Sequence, residues 1–182
     1  MSSCTQTVIE FMLYNASRPG IRRGSAREIG VSMTNAEVVL AVIRAVQERD
    51  AEALFALYHD DVELHDAPSL PYAYTARGKA AMRDQLESAP ETTWLGTWGP
   101  LQPTEEERQM DPRVVATDGD EVIVLYTTRA LAPDGERFES PVLGLYEVRD
   151  GKFARAQMFH YDTAAILAFL ERAARAAQAR AA

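Results

Sequence analysis

Features that define several large protein classes are scarce in this chain of 182 residues. Cys4 is the single cysteine, so no intrachain disulfide can form, and a reducing compartment such as the cytoplasm is expected. No apolar run approaches the ~20 residues of a membrane span. The formal net charge is −8, without the clustered Lys and Arg that release counterions from a polyanion. We therefore expect neither a membrane nor a nucleic acid as a partner.

Motifs for bound nucleotides are also lacking, since there is no phosphate loop, nucleotide fingerprint or Ser-His-Asp motif. The sequence predicts no cofactor. A hydrophobic content of 47% is sufficient for one domain with a core and a pocket. The first 32 residues carry a net charge of +2 and the remainder −10, so composition changes at about Met33. We predict a flexible N-terminal extension over residues 1–32, or an upstream segment before a start at Met33, and a single domain with a C-terminal helix over residues 33–182.

Helical patterns dominate the beginning and the end of this domain. Thr34 and Glu37 have the spacing of a capping box, directly before a run of apolar residues at helical intervals. Asp162 or Thr163 can cap the last, Ala-rich segment. We predict helices from Thr34 to about Asp50 and over residues 51–59, 77–88 and 162–182.

The centre of the domain has strand patterns separated by turns. Asp-Gly pairs between alternating apolar and polar residues are a strong hairpin signal. Helices first and an antiparallel meander afterwards indicate an α+β fold, with the helices on one face of a curved sheet. The predicted strands are VELHD (62–66), TTWLGTWGPLQ (92–102), RVVAT (113–117), EVIVLYTTRAL (121–131), RFESPVLGLYEV (137–148) and KFARAQMFHY (152–161).

A carboxylate stands at the end of the first of these strands. Alternation places Val62, Leu64 and Asp66 on one face, which should be the core-facing one. An unpaired charge at such a position is costly. Asp66 is therefore either a functional group in a pocket or a cap that binds backbone amides of the turn before Pro68.

Two stretches carry a resemblance to a known family. Residues 42–66, VIRAVQERDAEALFALYHDDVELHD, and residues 151–170, GKFARAQMFHYDTAAILAFL, resemble the opening and the last strand of ketosteroid isomerases and SnoaL-like polyketide cyclases. These are members of the nuclear transport factor 2-like superfamily, and the resemblance covers about residues 35–172. It implies a cone-shaped, cystatin-like α+β barrel with three N-terminal helices packed on a curved antiparallel sheet. The same fold hosts isomerases, cyclases, dehydratases, epoxide hydrolases and binding proteins.

The resemblance gives Asp66 a role and also marks two departures. In the isomerases the Asp at this position is the general base that moves a proton beside a carbonyl. Their oxyanion hole combines a Tyr with a protonated Asp, and the corresponding positions here are Val42 and about Gly144. Both donors are missing, so steroid isomerisation by that mechanism is disfavoured, and another group must polarise the substrate.

The last strand supplies a candidate for that group. Alternation places Ala154, Ala156, Met158 and His160 on one face and Phe153 on the other. The two alanines leave room for a ligand. His160 aligns with a bulky pocket-lining ring in the isomerases, and an imidazole can donate to an oxyanion or move a proton near pH 7. The alternative is a core histidine bonded to a backbone carbonyl.

Other polar residues complete the predicted site. Tyr126 alternates with apolar residues and could place a third catalytic group, a phenol, in the cavity. A metal site formed by His59, His65, Asp66 and His160 is disfavoured, because the first three of these residues do not share a face. The predicted substrate contacts are Tyr72, Tyr74 and Tyr146 at the mouth, with Val42, Ala156 and Met158 along the wall.

Two functional classes are consistent with these residues. The first is a cofactor-independent isomerase or cyclase that acts on a hydrophobic, carbonyl-bearing small molecule of polyketide or steroid type, with a Tyr-His-Asp dehydratase as its nearest variant. The second is a non-catalytic ligand-binding or assembly domain of the same fold. In either class we expect a homodimer paired through the convex face of the sheet, where Trp and aliphatic side chains are predicted.

Overall fold

The computed structural model describes residues 33–73 and 76–181, and the extension predicted over residues 1–32 lies outside them. The helices are α1 (Asn35–Glu48), α2 (Ala51–Leu57), α3 (Lys79–Ser88), α4 (Trp94–Trp98), α5 (Glu105–Arg108) and α6 (Thr163–Ala181). The strands are β1 (Tyr58–His65), β2 (Arg113–Asp118), β3 (Glu121–Leu131), β4 (Arg137–Arg149) and β5 (Lys152–His160). None of the helices in these two ranges is long and apolar enough to cross a bilayer.

The predicted caps are present at both ends of the domain. The backbone N–H of Glu37 donates to Thr34 Oγ1 at 3.3 Å, and the Thr34 N–H donates to the Glu37 carboxylate at 2.7 Å. At α6 the N–H of Ala165 donates to Asp162 Oδ1 at 2.9 Å. Both arrangements satisfy amides that have no partner inside the helix. The capping box at Thr34 is confirmed, and Asp162 caps α6.

The five strands form one sheet in the order β1-β5-β4-β3-β2. Strands β2 to β5 are antiparallel neighbours. All three turns between them contain a glycine with positive φ, Gly119 (+54°), Gly135 (+96°) and Gly151 (+70°), as the Asp-Gly signals predict. The α+β cone fold is confirmed, with α1 packed against β3, β4 and β5.

One pairing differs from the prediction of a wholly antiparallel sheet. β1 lies parallel to β5, with Leu64 opposite Ala156 and His65 opposite Gln157. Successive hairpins set the directions of β2 to β5, whereas β1 stands between α2 and α3. Alternation within a strand contains no information about strand direction, so the sequence pattern could not reveal this pairing.

The segment predicted as a strand over residues 92–102 is helical, and that prediction is wrong. Thr93 caps α4, because its hydroxyl accepts from Gly96 N at 3.1 Å and donates to Pro90 O at 2.7 Å. Trp94 and Trp98 stand four residues apart on one helix face, with ring centroids 6.4 Å apart. Aromatic and β-branched residues favour strands locally, but tertiary packing overrides that preference here.

The interior divides into two clusters of buried side chains. The first, which we call the main core, joins α1, α2 and α3 to the concave face of the sheet and includes Val39, Val62 and Val124, each fully buried. The second, the aromatic cluster, joins α4 and α6 through stacked rings. It contains Tyr72, Trp98 and Phe169, with Phe138 packed against them. The tryptophans therefore face inward and not outward on the sheet, which corrects the prediction for the convex face.

Candidate functional site

A carboxylate and an imidazole meet at the ends of two parallel strands. Asp66 directly follows β1, and His160 is the last residue of β5. His160 Nε2 and Asp66 Oδ1 are 2.7 Å apart, and the two side chains are only 3% and 5% exposed. We call this pair the dyad. An ionised carboxylate can only accept, so in that form of Asp66 the proton of the hydrogen bond is on Nε2. His160 Nδ1 has no hydrogen-bond partner among the described residues.

The dyad forms one side of a cavity of about 140 Å³. Most of the lining is aliphatic or aromatic, and none of the lining residues that the structure describes is Lys or Arg. The polar exceptions besides the dyad are three tyrosines and a threonine. The lining residues are Val42, Ile43, Val46, Leu54, Phe55, Tyr58, Leu64, Asp66, Met82, Leu86, Thr93, Trp94, Leu95, Met110, Tyr126, Tyr146, Phe153, Ala156, Met158 and His160.

Strand alternation and register explain how the dyad forms. Leu64 and Asp66 both line the cavity, as period two requires. Leu64 lies opposite Ala156 on β5, so the residues that follow on that face, Asp66 and His160, converge at the same end. The structure therefore brings together the two residues that the sequence pattern placed separately on pocket-facing positions.

Alternation fails at the beginning of β5. Phe153 lines the cavity and is 2% exposed, although the pattern placed it on the opposite face. The pairing shifts between Glu147 and Val148, so that Val148 lies opposite Phe153 while Glu147 lies opposite Arg155. Such a bulge inserts one unpaired residue, here Ala154, and reverses the faces before it.

Two tyrosines lie within the cavity wall. Tyr126 and Tyr146 are 8% and 5% exposed, and each phenol affects the pKa of the other. Burial and then the neighbouring Tyr146 raise the pKa of Tyr126 well above its usual value. Burial also raises the pKa of Tyr146, and the neighbouring Tyr126 opposes part of this effect. Both phenols are therefore neutral hydrogen-bond donors at physiological pH.

The predicted substrate contacts are only partly brought together. Val42, Ala156, Met158 and Tyr146 line the cavity, although Tyr146 is an interior residue and not part of a mouth. Tyr72 does not line it. This side chain is fully buried in the aromatic cluster, with its ring 6.5 Å from that of His160, so its predicted position at the mouth is corrected. Tyr74 lies outside the described residues.

Several lining residues escaped the sequence patterns. Thr93, Trp94 and Leu95 come from the segment that was read as a strand. The available signal was a Thr cap three residues before Gly96, combined with the i, i+4 spacing of two tryptophans. Tyr58 was missed for a different reason, because β1 begins at this residue, four residues earlier than predicted.

The remaining histidines lie apart from the dyad. His65 Nε2 is 3.1 Å from Glu63 Oε2 at a partly exposed position, and this contact is the first cause of a lowered pKa for Glu63. The N–H of Asp61 donates to His59 Nδ1 at 3.1 Å. Within residues 33–73 and 76–181, no group of three or more His, Cys, Asp or Glu side chains is arranged to hold a metal ion.

Solved structures with the same fold define the class of protein. TerC, co-crystallised with polyporic acid, is 24% identical, covers 75% of this chain and 98% of its own, and has a TM-score of 0.60. A nuclear transport factor 2-like protein of unknown function from Burkholderia pseudomallei is 18% identical, with coverages of 76% and 98% and a TM-score of 0.59. A Xanthomonas campestris protein named as a candidate polyketide cyclase is 21% identical, with coverages of 75% and 96% and a TM-score of 0.52. The chain thus has the nuclear transport factor 2-like fold.

The sequence narrows this class to one family. The model of the SnoaL-like domain matches residues 39–156, and this chain belongs to that family. The matched residues include Asp66, while His160 follows shortly after them. A search of the curated proteins finds no significant match to this chain.

Proposed function

We propose that this protein is a cofactor-independent enzyme of the isomerase or cyclase type, which uses general acid–base chemistry on a neutral, hydrophobic small molecule with a carbonyl group. The observation that carries the proposal is the buried Asp66–His160 hydrogen bond in an otherwise apolar cavity. A buried carboxylate costs stability unless it is well bonded. Titratable groups held in a cleft in this way are typical of sites that transfer protons.

Charge and volume limit the substrate. A lining without Lys or Arg offers no partner for a carboxylate or a phosphate, and Asp66 would repel one, so a neutral ligand is favoured. The cavity of about 140 Å³ is close to the size of an engineered cavity, ~150 Å³, that holds benzene. The buried part of the ligand is therefore about one ring, which favours a small cyclic ketone or one end of a longer polyketide over a whole steroid.

The proposed reaction begins with a proton beside the carbonyl. Asp66 takes this proton, the C–H electron pair forms a carbon–carbon double bond, and the carbonyl π electrons move to oxygen. His160 orients the Asp66 carboxylate and stabilises the negative charge that develops on the carbonyl oxygen. Return of the proton to another carbon completes an isomerisation. In a cyclisation the enolate carbon attacks a second carbonyl of the same molecule, and the alkoxide that forms takes the proton from Asp66.

The test follows the first step without knowledge of the natural substrate. We expect the protein to exchange the α-protons of 2-tetralone or a similar cyclic ketone with D2O faster than buffer at equal pH, measured by proton NMR. Ala156→Trp, which fills the cavity, is the matched control and should remove the acceleration. A wild-type protein that binds the ketone without exchange indicates a binding domain and contradicts the proposal.

A dehydratase of the same fold is the second candidate. The observation that favours it is the presence of two neutral phenols, Tyr126 and Tyr146, in the same cavity as the dyad. A phenol can protonate a leaving hydroxyl while the dyad removes the neighbouring proton. A β-hydroxyketone separates the two candidates, because dehydration lowers its mass by one water and isomerisation leaves the mass unchanged.

We also propose that the protein is a cytoplasmic homodimer. The location rests on the single cysteine. The dimer rests on the outer face of the sheet, where Leu143 and Phe159 lie opposite each other on β4 and β5 and are 37% and 48% exposed. Leu125 continues the same row on β3. An apolar row across three strands is suited to pairing with a second copy through a twofold axis.

The dimer proposal predicts a change of mass. The double variant Leu143→Glu, Phe159→Glu should be a monomer by light scattering, while the wild type is a dimer, because two charges would be buried in the interface. Met33→Glu alters another exposed apolar residue, outside this row, and should leave the dimer intact. If the wild type is a monomer even at high protein concentration, the proposed interface is wrong.

A further inference from the structure

Four buried polar side-chain atoms have no hydrogen-bond partner within the part of the chain that the structure describes. They are Tyr72 Oη, Trp98 Nε1, Thr128 Oγ1 and His160 Nδ1. Such atoms are rare in folded proteins, because a buried donor or acceptor has lost its bonds to solvent and needs a replacement. Their positions in the fold show whether they share one.

The sheet arranges these atoms around one row of short side chains. Thr128 on β3 lies opposite Ser140 on β4, and His160 belongs to the next inward-facing row of the sheet. Such rows are about 6.8 Å apart, since they are separated by two residues along a strand. The row on the other side contains Phe138, and the Trp98 ring stacks on it at 6.1 Å. The Thr128–Ser140 row therefore lies between the imidazole and the indole.

Tyr72 covers this row from the side of the helices. Its ring centroid is 6.2 Å from that of Trp98 and 6.5 Å from that of His160, in edge-to-face geometry with both. Burial raises the pKa of Tyr72, the nearby indole opposes this effect, and the charge of Asp66 adds to it. The phenol hydroxyl therefore faces the space between the indole and the dyad. Tyr72, Trp98 and Thr128 do not line the ligand cavity, so this space lies behind the dyad.

The chemistry of the four groups identifies the molecule that they can share. The Trp98 N–H only donates, whereas the hydroxyls of Tyr72 and Thr128 donate or accept. His160 Nδ1 accepts in the neutral imidazole and donates in the imidazolium. The indole donor disfavours a cation, and the Asp66 carboxylate on the same imidazole disfavours an anion. A water molecule donates twice and accepts twice, so it can satisfy these groups in either protonation state of the ring.

We infer that one internal water molecule binds behind the dyad and holds the imidazole with Nε2 toward Asp66. Its partners are Tyr72 Oη, Trp98 Nε1, Thr128 Oγ1 and His160 Nδ1. A ring that is bonded at both nitrogens cannot turn without breaking a hydrogen bond, so the dyad is oriented from the side opposite the ligand. Tyr72 and Thr128 are then positioning residues. The inference goes beyond the proposed function and does not depend on it, because a binding domain with this dyad needs the same partner.

The first experiment measures the ¹⁵N NMR signals of the full chain labelled at histidine. The chain has three histidines, so the His160 signals are those lost in His160→Gln. The two nitrogen shifts show the protonation state of the ring and whether Nδ1 has a hydrogen-bond partner. We expect a hydrogen-bonded Nδ1 in the wild type. Tyr72→Phe and Thr128→Val, which remove only hydroxyls or nearly so, should each move the Nδ1 signal toward that of a nitrogen without a partner. Thr128→Ser retains the hydroxyl and is the matched control, with an unchanged signal.

A high-resolution crystal structure of the full chain then identifies the partner of Nδ1. We expect one water molecule within hydrogen-bond distance of His160 Nδ1 and of at least two of the other three atoms. A direct bond from Tyr72 Oη to Nδ1 overturns the inference, as does a wild-type Nδ1 signal without a hydrogen bond. Thr128→Val decides the NMR result if Tyr72→Phe does not fold. Exchange of α-protons tests the proposed function separately, so either proposal can fail alone.

Discussion

Asp66→Asn is expected to lower the rate of α-proton exchange by at least ~10²-fold, in line with the usual contribution of a general base. The substitution is nearly isosteric, and the amide oxygen of Asn can still accept from His160 Nε2, which is now 2.7 Å from Asp66 Oδ1. The amide has no basicity, however. Ketone affinity and the melting temperature should therefore change little while exchange is lost.

The controls separate a catalytic role from a structural one. His160→Gln should lower the exchange rate by a smaller factor. The side-chain amide of Gln can donate to the Asp66 carboxylate, but unlike an imidazole it cannot take up or release a proton. Tyr161→Phe changes a phenol that is 84% exposed, next to the dyad in sequence, and should have no effect. If Asp66→Asn unfolds the protein but leaves the activity per folded molecule unchanged, the carboxylate stabilises the turn before Pro68 and is not the base.

Trp98→Ala should have the largest effect on stability, with a loss of ~3–5 kcal/mol in the free energy of unfolding. Trp98 is 1% exposed and packs against rings from three other parts of the chain: Tyr72, Phe138 and Phe169. Its removal leaves a cavity between α4, β4 and α6. Since small domains are stable by ~5–15 kcal/mol, this loss is a large part of the total. Urea denaturation followed by circular dichroism measures it.

Trp94 provides a matched comparison for Trp98. Trp94 lies on the same helix, lines the ligand cavity and is only partly buried. Trp94→Ala should destabilise the protein less than Trp98→Ala does. It should weaken ketone binding more than Trp98→Phe, which keeps an aromatic ring in the aromatic cluster. Equal losses for Trp94→Ala and Trp98→Ala would show that the aromatic cluster does not carry the stability assigned to it.

The sequence by itself was sufficient to predict the local secondary structure. It also predicted which side chains of most site residues point into the interior. The bounds of β3 follow from strict alternation, and the start of α1 follows from Thr34 and Glu37, because period and capping depend on neighbours within a few residues. Alternation likewise predicted that Asp66 and His160 point into the interior. Their roles in catalysis are still predictions.

Only the tertiary structure decided how these pieces meet. The parallel pairing of β1 with β5 places Asp66 next to His160, and strand direction is not encoded in alternation. The bulge before Arg155 turns Phe153 inward, since one unpaired residue reverses the faces. The helical state of α4 depends on packing against residues that are distant in sequence. The Tyr146 ring occupies the space where a Cβ atom on Gly144 would lie, and only the folded structure shows this placement. Local preference could not predict these features, because their free energy comes from contacts that exist only once the chain has folded.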